Sequence, residues 1–580
     1  MDVIRDPRRH DLDAVRSFAM LLGIALHAAL AYIGGVWIVS DERASEGLGV
    51  FVAAVHGFRM PLFFLLSGFF TAMLWKRRGL GGLLGQRTKR IVLPLILGCS
   101  MIVPTMYAVS SWAIGQRTQQ IQASADGAVA GEEKPRAPSA DIWTVASYGD
   151  MEGLRAYTRG HEQLDAQDPM YGVTALGWTV VKNQPEAAAY LLEVGADPSA
   201  AYKDGNTPMH TAGFFGRADI AEHLIRHGAD LSRTNPAGEV PMDSMRHNQQ
   251  TTEFIANMLA VPIVFADVAS GRERIRVMIE EAQLAAAVVA ATDELATTHQ
   301  AAPAAGGGLI ARLQGGSFFH HLWFLWFLCW LNAGFAVVVL VGRMLPGVKL
   351  PAVLVASPLA LVWLVPMTMV FQLQMHAGGS QPGFGPDTSA GLVPMWHVLA
   401  YYAVFFGFGA VVYSVRGSGA RLGRFWYVSL PVAVMILPMG LVFGYEPARA
   451  AEWVADESTR HWVSSVLQVV YVWLMTFGLL GLCETVLNKD RAWVRFVSDS
   501  SYWLYLVHLP LVVLGQGLLL RTGLPALVEF GILLVATSAV LLVSYRYLVR
   551  YTVIGLLLNG RRTRGTLGSC NPEPLPSVST

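Results

Sequence analysis

Arg16 and His27 are the two residues of this sequence whose chemistry is easiest to interpret together. They are eleven residues apart in "RSFAMLLGIALH", inside the first apolar segment. Eleven residues are close to three helical turns, so both side chains project from nearly the same face, about 16 Å apart along the axis. A neutral imidazole can accept a proton from a weak hydroxyl nucleophile near pH 7. His27 is therefore a candidate functional residue, and the alternative is a structural hydrogen bond within the membrane.

A second basic cluster lies in "QRTKRIVLPL", where Arg87 and Arg90 are three residues apart. Arginines at this spacing share one helix face, and each can bind phosphate through two hydrogen bonds. We interpret them as a candidate phosphate-binding pair. A purely topological role is the alternative, because Lys and Arg collect in the cytoplasmic loops of membrane proteins.

Further polar side chains lie in or beside apolar segments, where ionisable groups are costly and are therefore candidate functional residues. A structural role for His508 and an interfacial position for Arg59 remain open. Ser67 and Gly68 are more typical of close helix packing than of a nucleophile. Four cysteines without a CxxC pair predict neither a disulfide framework nor a metal site. The candidates for a cavity or for the acceptor side are His508, Tyr502, Arg59, His56, His320, His321 and Trp323.

The segments that carry these residues have the composition of membrane helices. The chain has 580 residues, 53% hydrophobic and only 15% charged, whereas soluble domains carry about 25% charged residues. Runs of roughly 20 apolar residues are long enough to span a bilayer. We predict an all-α polytopic membrane protein with ten spans, at 18–39, 51–75, 91–113, 318–342, 350–373, 396–415, 425–444, 463–487, 500–520 and 525–548.

Basic residues indicate which side of the membrane each loop occupies. The segment before the first span, the loops 76–90, 416–424 and 488–495, and the tail 551–580 all carry Lys or Arg. With ten spans they all fall on one side, which we expect to be the cytoplasm. This predicts a multi-pass membrane protein with a cytoplasmic tail.

A polar insert separates the third and fourth spans. Its first part, 114–140, has the composition of a linker. A period of 33 residues then begins at Gly172, Gly205 and Gly238, and "TPMHTA" (207–212) is similar to the ankyrin signature. We predict ankyrin repeats over 141–262 and a helical segment with a hinge over 263–317. Because three spans precede it, the insert is expected on the periplasmic side.

Several of these motifs together resemble one known family. Arg16-x10-His27, "MPLFFLLSGFF" (60–70), "RTKRIVLP" (87–94), "HLWFLWFLCWLNAG" (321–334) and "SSYWLYLVHLPLVVLGQ" (500–516) are similar to the acyltransferase-3 family of integral-membrane acyltransferases. The nearest resemblance is to its glucans biosynthesis protein C group, which modifies periplasmic glucans with succinyl groups. It covers residues 10–113 and 318–550, and the ankyrin insert departs from the family pattern.

The resemblance implies an enzyme that transfers an acyl group, succinyl or acetyl, from cytoplasmic acyl-CoA to a hydroxyl of an envelope saccharide. It implies that His27 is required for transfer and that Arg16, Arg87 and Arg90 engage the acyl-CoA donor. We expect acyl-CoA as co-substrate and no bound cofactor. The expected partners are the saccharide acceptor, membrane lipid, and a protein or glycan bound by the ankyrin repeats, with no nucleic acid.

The sequence leaves other functions open. The same core could acetylate a lipid-linked sugar, export an acyl-glycan or transport an anion, or only anchor the ankyrin repeats as a scaffold. It also leaves open whether His27 acts as a general base or carries the acyl group as a covalent intermediate.

Overall fold

The computed structural model describes most of the chain. The described residues are 9–33, 37–39, 45–128, 141–159, 163–168, 171–236, 238–259, 261–293, 318–342, 351–375, 383–415, 422–489, 491–519 and 522–559. Their regular structure is helical, with one isolated β-bridge between Gln167 and Thr174. The predicted hinge before residue 318, most of the loop 416–424 and the end of the tail lie outside this part of the chain.

The helices outside the insert form one large apolar core. Among the described residues, three precede the insert: α1 (His10–Ala29), α2 (Glu46–Arg87) and α3 (Leu93–Ala128). In the described part of the chain after it, ten follow: α12 (Trp323–Gly342), α13 (Ala352–Ala356), α14 (Leu361–Gln372), α15 (Trp396–Ser414), α16 (Trp426–Tyr445), α17 (Pro447–Trp453), α18 (Glu457–Val486), α19 (Ala492–Leu519), α20 (Ala526–Ser544) and α21 (Val553–Asn559).

Eight helices among the described residues are long and apolar enough to cross a membrane. One of them runs from Glu46 to Arg117 and contains both the second and the third predicted spans. It changes direction at Gly79, whose φ of 69° and ψ of 179° are not helical. The predicted all-α, polytopic architecture is confirmed, and the exact number of ten spans stays a prediction.

Three predicted boundaries are wrong. The first helix is His10–Ala29, not 18–39, because its polar first turn, with Asp11 and Asp13, is itself helical and favourable at a helix N-terminus. The predicted span 350–373 is broken between α13 and α14, where Ser357 is extended and Pro358 cannot donate a backbone hydrogen bond. The first half of the predicted linker is helical, since α3 continues to Ala128.

Glycine allows α2 and α15 to cross closely. A Cβ atom on Gly68 would lie 1.8 Å from the carbonyl oxygen of Phe406, and one on Gly409 would lie 2.0 Å from that of Leu65. Such contacts between backbones leave no room for a side chain. The pair therefore fixes the position of α2, which carries Arg59 and Arg87, and the interpretation of Gly68 as a packing residue is confirmed.

The insert contains helix pairs that repeat every 33 residues. The helices are α4 (Ile142–Tyr148), α5 (Met151–Thr158), α6 (Ala175–Val181), α7 (Pro185–Glu193), α8 (Pro208–Phe215), α9 (Ala218–Arg226), α10 (Gln249–Met258) and α11 (Phe265–Asp293). The first helices of three pairs are capped by Asp141, Thr174 and Thr207, which are 33 residues apart. The next equivalent position is Val240, which has no capping oxygen, and only a short 3₁₀ turn (Asp243–Arg246) forms there.

Successive repeats contact each other in the same way. Gly172 and Gly205 both have positive φ, and a Cβ atom on either would lie 2.3 Å from Lys203 or Pro236 respectively. At the other end of the array, α10 packs against α3 of the membrane core. The predicted helical repeat architecture is thus present, and it contacts the membrane helices.

Candidate active site

One face of α1 lines two adjoining cavities. Arg16 and Met20 line the larger one, and Met20, Gly23 and His27 line the smaller one. These residues follow each other at intervals of four, three and four, which is the repeat of one helix face. The structure therefore places Arg16 and His27 on the same face, as their spacing predicts.

The larger cavity, which we call the outer cavity, has a volume of about 320 Å³. All three arginines predicted to bind the donor line it: Arg16, Arg87 and Arg90. Tyr502 and Gln86 add polar groups, and most of the remaining lining residues are apolar. Among the described residues no carboxylate lines this cavity, so it is suited to an anion with an apolar extension.

Arg87 is held in the outer cavity by buried polar groups of two helices. Its Nη2 atom donates a hydrogen bond to Thr71 Oγ1, at 2.5 Å. Thr71 in turn donates to Asn332 Oδ1 at 3.3 Å, and Asn332 Nδ2 donates to the Leu328 carbonyl at 2.7 Å. Thr71 and Asn332 are buried. This series of hydrogen bonds fixes one side of the Arg87 guanidinium.

Arg90 lies in a π-helical turn, Thr88–Val92, between α2 and α3. The hydroxyl of Tyr502 donates a hydrogen bond to the Arg90 carbonyl at 2.7 Å. This bond ties the turn to α19, so Tyr502 acts on Arg90 through its backbone. The turn is also the sequence "RTKRIVLP" that the family resemblance singles out.

The smaller cavity, which we call the inner cavity, has a volume of about 70 Å³. It shares Met20, Phe63, Phe324 and Tyr505 with the outer cavity, so the two adjoin. No carboxylate of the described residues lines it. Its polar lining consists of His27, Arg59, His321, Trp323, Tyr505 and His508.

His27 and His508 contact each other directly, with 2.9 Å between His27 Nδ1 and His508 Nε2. The Nδ1 atom of His508 lies 2.8 Å from the Tyr505 carbonyl, which can only accept, so this Nδ1 carries the proton. In neutral His508 the Nε2 atom is then the acceptor, and His27 Nδ1 must donate to it. The remaining lone pair of His27 is on Nε2.

A second network fixes the backbone at His27. Gln516 Nε2 donates to the carbonyls of His27 and Ala28, at 3.0 and 3.3 Å. Its Oε1 atom accepts a 2.9 Å hydrogen bond from Trp37 Nε1. The indole of Trp37 also stacks on the His27 imidazole, with 6.0 Å between ring centroids. These contacts tie the C-terminal end of α1 to α19.

His321 joins the start of α12 to α19. Its Nε2 atom is 3.1 Å from the Leu506 carbonyl, and the Tyr505 hydroxyl donates to the His321 carbonyl at 2.6 Å. Nδ1 of His321 is buried without a hydrogen-bond partner in the described structure. The imidazole packs edge-on against His508, with 5.5 Å between centroids.

The structure divides the residues predicted for a cavity or for the acceptor side. Arg59, His321 and Trp323 line the inner cavity, but His56 and His320 do not. His56 Nε2 is 3.1 Å from the Pro386 carbonyl, and His320 packs edge-on against Tyr107. The structure thus brings together His27, His508, Arg59 and His321 and assigns His56 and His320 to other contacts.

A family model described as "Acyltransferase domain" matches residues 9–123 and 284–547, more than half of the chain. The chain belongs to this acyltransferase family. Both cavities are built from the matched residues, except that Leu558 of the outer cavity lies beyond them. A second model, ankyrin repeats in three copies, matches residues 142–235. The predicted combination of an acyltransferase core with an ankyrin insert is confirmed.

The acyltransferase chain is similar to glucans biosynthesis protein C of Escherichia coli. It is 31% identical to the protein of strain SMS-3-5 / SECEC and 30% identical to that of strain K12, over 116 residues in each case. The match covers 20% of this chain and 30% of each relative. The ankyrin repeat domain of Bcl-3 is a similar solved structure, 23% identical, with a TM-score of 0.18, covering 20% of this chain and 50% of that one.

The predicted site residues do not include several residues that line or support this candidate site. Thr71 and Asn332 are small polar residues in apolar helices, and Gln516 is another, so buried polarity was the available signal. Tyr505 lies three residues from both Tyr502 and His508, and this helical spacing could have identified it. Gly23 could not be identified from the sequence, because its role depends on its contact with Arg59 in the folded structure.

Proposed function

We propose that this chain is a membrane O-acyltransferase that moves an acyl group from acyl-CoA to a hydroxyl of an envelope saccharide. The observation that carries the proposal is the pair of adjoining cavities, with three arginines at the outer one and the His27–His508 pair at the inner one. Family membership supports acyl transfer as the reaction. In this proposal the donor binds at the outer cavity and the acyl group reacts at the inner cavity.

The donor is proposed to bind with its phosphates among Arg16, Arg87 and Arg90. Guanidinium groups suit phosphate because they offer paired donors in a fixed plane. The remaining lining of the outer cavity, which is mostly apolar, would hold the rest of the donor and direct its thioester towards His27. Arg16 and His27 are separated by about 16 Å of helix, so the phosphates of the donor would bind at a distance from the thioester carbon that reacts.

His27 is proposed as the catalytic residue, acting through Nε2. The tautomers deduced above leave this atom with a lone pair on a ring that lines the inner cavity. It can take the proton of an attacking sugar hydroxyl, or it can attack the thioester and hold the acyl group. His508 is a positioning residue in either route, because its Nε2 atom accepts a hydrogen bond from His27 Nδ1.

We propose a glucan as the acceptor, on the basis of the similarity to proteins named for glucans biosynthesis. The transferred group is proposed to be succinyl or acetyl. An inner-membrane location with the ankyrin repeats on the periplasmic side would place a partner-binding surface beside the acceptor. The repeats are proposed to bind a protein or a glycan there.

The test is mass analysis of envelope glycans from cells with and without the gene, complemented by the wild type or by His27→Ala. We expect a succinyl or acetyl increment that wild type restores and His27→Ala does not. His27→Ala should lower turnover about 10²–10⁴-fold, the usual contribution of a general base. Unchanged glycans in the deletion strain would refute the proposed acceptor, and full complementation by His27→Ala would refute the proposed base.

A further inference from the structure

Arg59 is a cation enclosed beside the reacting histidine. It lines the inner cavity together with His27, His321 and His508. No hydrogen bond or ion pair is found for its guanidinium among the described residues, and its Nε atom is buried without a partner. A cation held in a membrane protein without a counter-ion is costly, so its retention indicates an anion that arrives during function.

Gly23 makes room for this guanidinium. A Cβ atom on Gly23 would lie 2.1 Å from Arg59 Nη1. Gly23 precedes His27 by four residues, one helical turn, so the guanidinium lies one turn from the imidazole. Met20, one turn before Gly23, borders both cavities, so Arg59 lies on the route between the donor arginines and His27.

Acyl transfer creates an anion at this place. As the acceptor oxygen bonds to the thioester carbon, its proton passes to His27 Nε2 and the C=O electron pair moves onto the carbonyl oxygen. When that pair returns, the C–S bond breaks and the proton passes from His27 to the sulfur. If His27 Nε2 attacks first, the same carbonyl oxygen becomes negative, the C–S bond breaks as the electron pair returns, and CoA leaves as the thiolate. The acceptor hydroxyl then attacks the acyl carbon on His27, its proton passes to the thiolate, and the N–C bond to His27 breaks. Both routes need a hydrogen-bond donor that stabilises the oxyanion in this small cavity.

We propose that Arg59 is a catalytic residue that stabilises this oxyanion. The inference rests on the proposed function, since it assumes acyl transfer at His27. Two other donors nearby are already used: the Tyr505 hydroxyl donates to the His321 carbonyl, and His27 Nδ1 donates to His508. Arg59 is also the only cationic side chain at pH 7 that lines the inner cavity among the described residues when the histidines are neutral.

The test compares Arg59→Gln, Arg59→Lys and Gly23→Ala with wild type and His27→Ala, all as purified full chains. Release of CoA thiol is measured with acetyl-CoA and succinyl-CoA, and donor affinity is measured separately. Arg59→Gln should lower kcat about 10²–10³-fold with either donor, the usual effect of losing an oxyanion donor, with donor affinity unchanged. Arg59→Lys should retain part of the activity. Gly23→Ala should lower kcat while keeping the charge, because it displaces the guanidinium.

The outcomes separate this inference from the function on which it rests. A wild type that releases no thiol from either donor would overturn both. An active wild type, an inactive His27→Ala and a fully active Arg59→Gln would overturn the role of Arg59 alone. A loss confined to succinyl-CoA would also overturn it, since Arg59 would then bind the acyl carboxylate. If Arg59→Gln does not fold, Gly23→Ala decides: wild-type kcat there refutes the proposal.

Discussion

The Nδ1 atom of His27 lies 2.9 Å from the Nε2 atom of His508, although 481 residues separate them in the chain. The proton between the two rings is on His27 Nδ1. The proton of His508 is on its other nitrogen, Nδ1, which donates to the Tyr505 carbonyl. This contact decides which nitrogen of His27 keeps a free lone pair. It makes α19 a part of the proposed reacting centre and not only of the scaffold.

The role of His508 can be tested with two substitutions that differ in one property. A glutamine at this position offers an amide oxygen that can accept from His27 Nδ1, whereas a leucine of similar volume offers none. We expect His508→Gln to keep more activity than His508→Leu, and both to bind acyl-CoA normally. Neither loss should reach the roughly 10²–10⁴-fold expected for His27→Ala. If His27→Ala turns over normally while His508→Leu is inactive, the base is on α19 and the assignment is reversed.

Donor binding should depend on Arg87 and Arg90 but not on the lysine between them. Removing one charged hydrogen bond costs roughly 1.5–3 kcal/mol, so Arg87→Ala or Arg90→Ala should weaken acyl-CoA binding about 10- to 150-fold. Lys89 is exposed and does not line the outer cavity, so Lys89→Ala is the matched control. Thr71→Val should weaken binding less than Arg87→Ala. Equal losses in all three charge variants would indicate a general surface potential instead of a site.

The α2–α15 crossing should be intolerant of any side chain. Gly68→Ala would force the two backbones apart, and strain of this kind typically costs about 1–3 kcal/mol. We expect a lower midpoint of thermal unfolding in detergent. Gly407 lies on α15 with nothing within 4 Å of its Cβ position, so Gly407→Ala should leave the midpoint nearly unchanged. The same midpoint in both variants would mean that the helices do not cross as closely as described.

The ankyrin repeats should weaken as the pH falls below neutrality, through His210. Its Nδ1 atom accepts hydrogen bonds from Thr207, and Nε2 donates to the Glu239 carbonyl in the next repeat. Burial lowers the pKa of His210 below 6.5, so the folded repeat binds fewer protons than the unfolded one. The stability that results is complete above about pH 6.5 and is lost as the pH falls through the lowered value.

Hydrogen exchange of residues 172–236, corrected for the intrinsic pH dependence, measures this loss. Protection in the wild type should decrease between pH 7.5 and pH 5. In His210→Gln the same decrease should be absent or reduced, from a lower starting protection. Substitution of the exposed His227 by Gln should leave the wild-type profile intact. An unchanged pH profile in His210→Gln would exclude His210 as the titrating group.

The side of the membrane on which the insert lies is open to a direct experiment. Three predicted spans precede the insert and the basic loops lie opposite, so an alkaline phosphatase fusion at Gly205 should be active. A fusion at Gly82, in the basic loop 76–90, should be inactive and serves as the reversed control. If activity appears at Gly82 and not at Gly205, the parity of the spans is wrong.

The sequence predicted well what depends on local spacing. Arg16 and His27 share a face because eleven residues return nearly to the same angle, and the repeats follow because 33-residue periods recur in their capping residues. The break in the predicted span 350–373 was harder to predict, because one serine followed by proline changes the mean hydropathy of the segment very little. The extension of α3 to Ala128 was missed because polar composition was interpreted as a linker.

Contacts between distant helices could not be predicted. Nothing near Asn332 in the chain indicates that it would hold Thr71, and through it Arg87. Gly23 and Arg59 meet only because α1 and α2 pack together at one particular depth. These contacts form only when the helices assemble. They determine the geometry of the candidate site more directly than the sequence motifs do.

The length of α3 has a mechanical consequence. Its 36 residues extend about 54 Å, well beyond the roughly 30 Å of a bilayer core, without an interruption in the helix. In a continuous helix, each added residue rotates the part of the helix that follows by about 100° and moves it along the axis by about 1.5 Å. The ankyrin array contacts this helix through α10. Two residues inserted in α3 on the core side of that contact would turn the contacted face by about 200° while raising it only about 3 Å.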